Sequence, residues 1–275
     1  MFRKICKTII LLVLVLILPY TITRYLNENT LKTNSSVTDF NTILQNYCIQ
    51  QLAKEVTPQY ADEMLKVQAI LVRTTVYKEI EELGKEFMNQ NNTQEEEIDV
   101  LFKQKLEHAW DATDGQVIMY ENKLALVPFH QVSNGKTRNG EEVLGSKDYP
   151  YLQVVECQRD VEAENQLKSS FVEETGILIE EWDSAGYVTS VSINGEKISG
   201  EAFREKYQLS SSCFEVQQFE ERTRVITKGV GHGLGLSQFS ANKMAEDGKT
   251  SEEILQFFFP GTEIKEVAEI LWNIE

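Results

Sequence analysis

Apolar side chains recur every three or four positions at Phe40, Ile43, Leu44, Tyr47, Cys48, Leu52 and Val56, which predicts a helix from Asp39 to Glu55. Thr57-Pro58 ends it. A second helix is predicted from about Asp62 to Leu83, with Leu65, Ala69, Val72, Val76 and Ile80 on one face. Residues Glu86 to Glu97 are polar and acidic and read as a solvated loop, and Ile98 to Trp110 reads as a third helix. Beyond Trp110 the period changes to two. Gln116–Tyr120 and Leu124–His130 around Glu121-Asn122-Lys123 predict a hairpin, and Tyr187–Ile193 and Glu196–Ile198 around Asn194-Gly195 predict a second. Gly200–Tyr207 reads as a short helix, and Phe214–Val216 and Thr223–Ile226 as strands. Phe239–Gly248 reads as a helix closed by a glycine, and a further helix opens at Ser251 as its N-cap. Helices, then strands, then helices make an α+β fold rather than a βαβ repeat.

The N-terminus follows a different pattern. Arg3, Lys4 and Lys7 precede an uncharged run from Thr8 to Thr23 in which Ile9 to Leu18 are all apolar. The run is short for a spanning helix, which needs about 20 residues, and also fits the core of a signal peptide. No small-residue cleavage site follows Leu18, and the first alanine is Ala53. The expectation is therefore an uncleaved anchor over 1–25, a polar linker over 26–38, and one domain over 39–275. The basic flank places the N-terminus inside and the domain outside.

The 275 residues carry a net charge of −16. Such an acidic chain is a poor nucleic-acid binder, because phosphate contacts need a basic face. Cys6, Cys48, Cys157 and Cys213 show no CxxC spacing, so neither a zinc ribbon nor a redox pair is suggested. Cys6 lies beside the membrane, and the other three read as small buried apolar residues.

The most distinctive chemistry lies at Gly229-Val230-Gly231-His232-Gly233-Leu234-Gly235-Leu236-Ser237-Gln238, which holds four of the 15 glycines and one of three histidines. Such alternation lets a backbone run close to a ligand or catalytic group. It also reads as a glycine-rich turn entering a helix, with His232 merely hydrogen-bonded. It further resembles the ATP lid of histidine-kinase-type ATPases, but the Asn-rich helix and Asp-x-Gly box of those enzymes are not supplied by Asn91-Asn92 or Asp114-Gly115.

The longer string GHGLGLSQFSANKMAEDGKTSEEILQFFFPGTEI decides between these. In order and spacing it resembles the C-terminal signature of the stage II sporulation protein D (SpoIID/LytB) family, whose usual tyrosines before PGT are phenylalanines here. Leu52-Ala53-Lys54-Glu55-Val56-Thr57-Pro58, continuing into Leu65-Lys66-Val67-Gln68-Ala69-Ile70-Leu71-Val72-Arg73-Thr74, resembles the family's other signature, with Pro58 one place late. Phe129-His130-Gln131-Val132-Ser133-Asn134-Gly135-Lys136-Thr137 resembles a third segment. The resemblance covers about residues 40–270 and is weakest over 84–97 and 157–185.

The resemblance implies a lytic transglycosylase that cuts peptidoglycan glycan strands to 1,6-anhydro ends, with Glu55 as catalytic acid. Its partners would be glycan strands and a cell-wall amidase. Arg73, His130, Ser133, Lys228, His232 and Gln238 would line the substrate groove. Arg73 borders an apolar helix face, where it is either a structural pair or a substrate clamp. Some members complete a zinc site with two cysteines after the histidine; this chain has none before Cys157, so no metal and no cofactor is expected, and His130 is either a core or a groove residue. The LytB branch implies an alternative, a non-catalytic glycan-binding enhancer of an amidase.

Overall fold

The computed structural model describes residues 42–84, 86–87 and 96–266. The expected anchor, the linker and the start of the first predicted helix lie outside the described residues. Among the described residues no helix is long and apolar enough to cross a membrane. The chain divides into two units, 1–48 and 49–275. In the first, residues 42–48 are helical.

The second unit opens with α1 (residues 49–55), followed by α2 (Asp62–Leu83) and α3 (Val100–Ala112). Then come β1 (Gln116–Tyr120), β2 (Lys123–Leu124), β3 (Phe129–His130), α4 (Gly140–Leu144) and a 3-10 turn at Gln158–Glu162. Next are β4 (Leu167–Val172), β5 (Ile177–Trp182), β6 (Val188–Ile193), β7 (Glu196–Ser199), α5 (Gly200–Lys206), β8 (Phe214–Gln218) and β9 (Thr223–Lys228). The last elements are β10 (Leu236–Ser237), α6 (Gln238–Glu246), α7 (Ser251–Phe258) and β11 (Glu263–Glu266). The order is α+β, as the patterning predicts.

α2 matches its predicted bounds but is buried on more than one face. Met64, Val67, Ile70 and Leu71 are all shielded, as well as the predicted stripe. The reason is that α3, β1, α6 and α7 all pack around it. A helix apolar on most sides belongs in a core rather than on a surface. That core also takes Ile118, Tyr151, Leu236, Ala241, Ile254, Leu255, Phe258 and Phe259. A second core lies between the antiparallel sheets β4-β9-β8 and β5-β6-β7, where Phe203 of α5 stacks on Phe214 at 4.9 Å.

Both hairpins form. Asn194 and Gly195 have φ of 51° and 91°, and Glu121 and Asn122 have 49° and 62°, the left-handed pairs that tight hairpin turns need. The first hairpin is shorter than expected, because its second arm ends at Leu124. Phe129–His130 instead pairs in parallel with Leu236–Ser237 in the glycine motif. β4, β5, α4 and β11 were not predicted. The N-cap of α7 is Thr250 rather than Ser251, in a capping box with Glu253.

The glycine motif carries the chain from the second core back to the first. Its glycines meet protein, contrary to the expected approach to a ligand. A Cβ on Gly231 would lie 2.7 Å from Cβ of His130, and one on Gly235 would run into the Pro128 carbonyl oxygen. Both have positive φ. Glycine here allows two backbone segments, 128–133 and 229–237, to lie against each other.

Candidate functional site

Glu55 is the last residue of α1, and its side chain is exposed. Nearby protein still removes enough water to push its carboxyl above the ordinary carboxylate value. Tyr60 lies beside it: burial, and then the charge of Glu55, push the Tyr60 phenol up. Val56 is buried, and Thr57, Pro58 and Gln59 are exposed. The connection is held from several sides. Lys105 Nζ donates to the Pro58 carbonyl at 3.1 Å, and the Ala61 amide donates to Asn242 Oδ1 at 2.9 Å.

Gln238 Nε2 donates to the Glu55 carbonyl at 2.9 Å and to Gln68 Oε1 at 3.2 Å. Gln238 is 2% exposed and Gln68 is fully buried. The two signatures that lie 170 residues apart therefore meet through their glutamines. Gln238 was expected to line a groove; the structure turns its amide inward onto the chain.

His130 and His232 also meet, edge to face, with ring centroids 5.8 Å apart. His130 Nδ1 lies 3.2 Å from the Leu234 carbonyl, so that nitrogen carries the proton, and the buried Nε2 has no partner among the described residues. Burial, reinforced by His232, pushes its pKa down to about 3, so the ring is neutral. His232 Nδ1 accepts from the Leu234 amide at 3.1 Å. Burial, then Arg204, hold its pKa below the ordinary value. The pair clamps the glycine motif onto β3, and of the two readings left open for His130 the core one fits.

Three expected groove residues have other partners. Arg73 is 1% exposed, which places it in the core rather than in a groove. Its guanidinium donates to the carbonyls of Trp110, Thr113 and Gln116 at 3.0, 2.7 and 3.1 Å. Ser133 is fully buried; its amide donates to Asp160 Oδ2 at 2.6 Å and its hydroxyl accepts from the Gly135 amide. Lys228 forms an ion pair with Glu215 at 2.7 Å on the sheet surface.

Two residues that the patterning did not single out organise the region. Asp160 is fully buried and accepts from Ser133, Ser237 and Ser240, tying the third segment to the glycine signature. Arg138 pairs with Asp183 and Glu201 and donates to the His232 carbonyl at 3.1 Å. Each falls where a single charged residue breaks no periodicity, so nothing in the sequence marks it. Cys48, Cys157 and Cys213 are buried, as expected. Among the described residues no group of three or more His, Cys, Asp or Glu could hold a metal ion.

Residues 33–120, which include Glu55, Gln68 and Arg73, match the family model described as stage II sporulation protein. Stage II sporulation protein D of Bacillus amyloliquefaciens is 29% identical over 272 residues, covering 84% of this chain and 76% of its own. The protein of the same name from Bacillus subtilis (strain 168) is 28% identical, covering 82% and 75%. The amidase enhancer of Bacillus subtilis (strain 168) is 37% identical over 54 residues, 20% of this chain and 8% of its own. With the two signatures joined at Gln238, Glu55 and Gln68, the chain is similar to stage II sporulation protein D over most of its length and matches the family model over residues 33–120.

Proposed function

We propose that the protein is a lytic transglycosylase of peptidoglycan glycan strands that acts in wall remodelling during sporulation, with Glu55 as its acid and base. The observation that carries the reading is the Glu55 carboxyl itself. It is open to solvent, held on a pinned connection, and pushed above the ordinary carboxylate value by burial. A general acid needs that shift, because it must hold a proton near neutral pH. Glu55 would protonate the glycosidic oxygen between N-acetylmuramic acid and N-acetylglucosamine as the C1–O bond breaks. The C6 hydroxyl of the same muramic residue would then close on C1 while Glu55 takes back its proton. The ring closure replaces water, so one carboxyl suffices where ordinary glycosidases use two. Lys228 and the half-buried His232 are the remaining expected contacts for sugar. The names of the relatives support a sporulation and wall setting.

We further propose that residues 1–25 anchor the chain in the membrane, that 26–38 link it, and that 39–275 act outside on the wall. Full-length protein in the membrane fraction, degraded by protease added outside cells, is the expected result; a processed soluble form lacking 1–25 would refute it.

The experiment that tests the activity is mass spectrometry of digested glycan. Anhydro-ended products from wild type, and little product from Glu55→Gln, support the reading; ordinary reducing ends sink it. The short match to an amidase enhancer favours one alternative, a glycan-binding protein that stimulates an amidase. Equal inertness of wild type and Glu55→Gln, with both binding glycan and stimulating an amidase, would select that alternative.

A further inference from the structure

We propose that Gln238 and Asn242 form a positioning bracket on α6 that fixes where Glu55 presents its carboxyl. This rests on the reading of Glu55 as the acid. The two residues stand at i and i+4 in one helix and so share a face. Gln238 holds the Glu55 carbonyl, where α1 ends, and Asn242 holds the Ala61 amide, where α2 begins. One helix face thus grips both ends of the connection 56–60. That connection exposes three successive residues and is otherwise held by buried Val56, by Tyr60 packed against the core, and by the Lys105 contact.

The bracket is itself locked. Both N–H bonds of the Gln238 amide are used, one on Glu55 and one on Gln68. Asn242 Nδ2 donates to Glu246 at 2.7 Å, which orients its oxygen toward Ala61. Gln238 at 2% and Asn242 at 9% exposure are covered by protein, so their influence on a reaction runs through the backbone they hold. Fixing that backbone leaves Glu55 only its own rotamers, and a site holds its geometry when such supporting groups are rigid. A displacement of about 1 Å at a catalytic group costs on the order of 10²-fold in rate.

The test compares wild type with Gln238→Met, which keeps length but removes both donors. With the full chain on denuded glycan, kcat should fall on the order of 10²-fold, with KM changed by less than about two-fold. The carbon resonance of the Glu55 carboxyl, followed by NMR against pH, should move toward that of an ordinary solvated carboxylate. Ser240→Ala on the same helix, which loses a bond to Asp160, should lower the melting temperature and leave both readouts in place. Unchanged kcat and Glu55 titration in folded Gln238→Met overturn the bracket, and so does an equal change in Ser240→Ala. If Gln238→Met fails to fold, Gln238→Asn, polar but one methylene short, takes its place with the same readouts. An inert wild type removes the transglycosylase reading alone; the Glu55 titration then decides the bracket.

Discussion

The guanidinium carbon of Arg73 lies 3.8 Å from the centroid of the Trp110 ring, and the same guanidinium bonds the carbonyls of Trp110 and Thr113. Those carbonyls close α3, whose last turn carries no basic residue of its own. Arg73 of α2 therefore caps the C-terminus of α3 from outside, satisfying groups that a helix leaves open and meeting the negative end of its dipole. This explains a buried cation at a position that looked suited to a sugar clamp.

Replacing Arg73 should cost stability rather than affinity. Arg73→Met leaves buried carbonyls without donors, and each such group left unsatisfied costs about 1–3 kcal/mol. Arg73→Lys should cost less, because an ammonium reaches fewer carbonyls and stacks less well on Trp110. Urea unfolding measures both. Glycan affinity of the folded fraction should stay at the wild-type value, and a large affinity loss at intact stability would restore the clamp reading.

Two glycines should separate crowding from backbone strain. Gly235 has φ of 73° and Gly248 has 88°, so alanine is strained at both, by about 1–3 kcal/mol. Around Gly248 an added methyl meets nothing within 4 Å, whereas at Gly235 it would run into the Pro128 carbonyl. Gly235→Ala should therefore lose well beyond the strain and yield little folded protein. Gly248→Ala should fold with a lowered urea midpoint. Similar midpoints for both would show that β3 and the glycine motif can move apart.

The local code was legible and the long-range code was not. Asp62–Leu83 is readable because Leu65, Ala69, Val72, Val76 and Ile80 recur at helical spacing along its length. The turn at Asn194-Gly195 was readable because those residue types accept left-handed φ. Phe129–His130 was misassigned to a hairpin, since two residues of strand carry no mark of a parallel partner more than a hundred positions away. β4 and β5 were missed because their exposed Leu167, Phe171, Leu178 and Trp182 blur the alternation. At the site, the resemblance singled out Glu55 and Gln238 separately. Only the structure shows that one holds the backbone of the other, because a side chain bound to a main-chain carbonyl leaves no complementary residue type to find.

His130 should make the fold sensitive to acid. Its folded pKa of about 3 lies below the ordinary 6.5, so the unfolded chain binds the proton first. Above pH 6.5 the group is neutral in both states and has no effect on stability. As pH falls from 6.5 toward 3 the unfolded state gains, by roughly 4–5 kcal/mol at the limit. His130→Asn removes this proton and should flatten the dependence of unfolding free energy on pH over that window. Parallel curves for wild type and variant would mean that the ring protonates within the fold.

Glu55 predicts the opposite sign, and under the proposed catalytic role activity and stability are opposed there. Its carboxyl is raised by burial, so the folded state holds the proton more tightly than the unfolded chain. Below the ordinary value of 4.5 the group is neutral in both states. As pH rises through the folded pKa, the chain must ionise a carboxyl that protein has partly stripped of water, and stability is lost. Glu55→Gln removes that charge at nearly equal size. The variant should therefore unfold at higher urea than wild type at pH 8, and this advantage should disappear below pH 4.5. Exposure of the side chain keeps the gain small, because solvent screens much of the cost. The same substitution should lower glycan cleavage by about 10²–10⁴-fold, the usual contribution of a general acid and base. A group kept where it destabilises the fold, and needed for turnover, is what a catalytic acid requires. A Glu55→Gln variant less stable than wild type at pH 8 would show instead that the carboxylate has a partner that holds it ionised, and such a carboxylate could not serve as the acid.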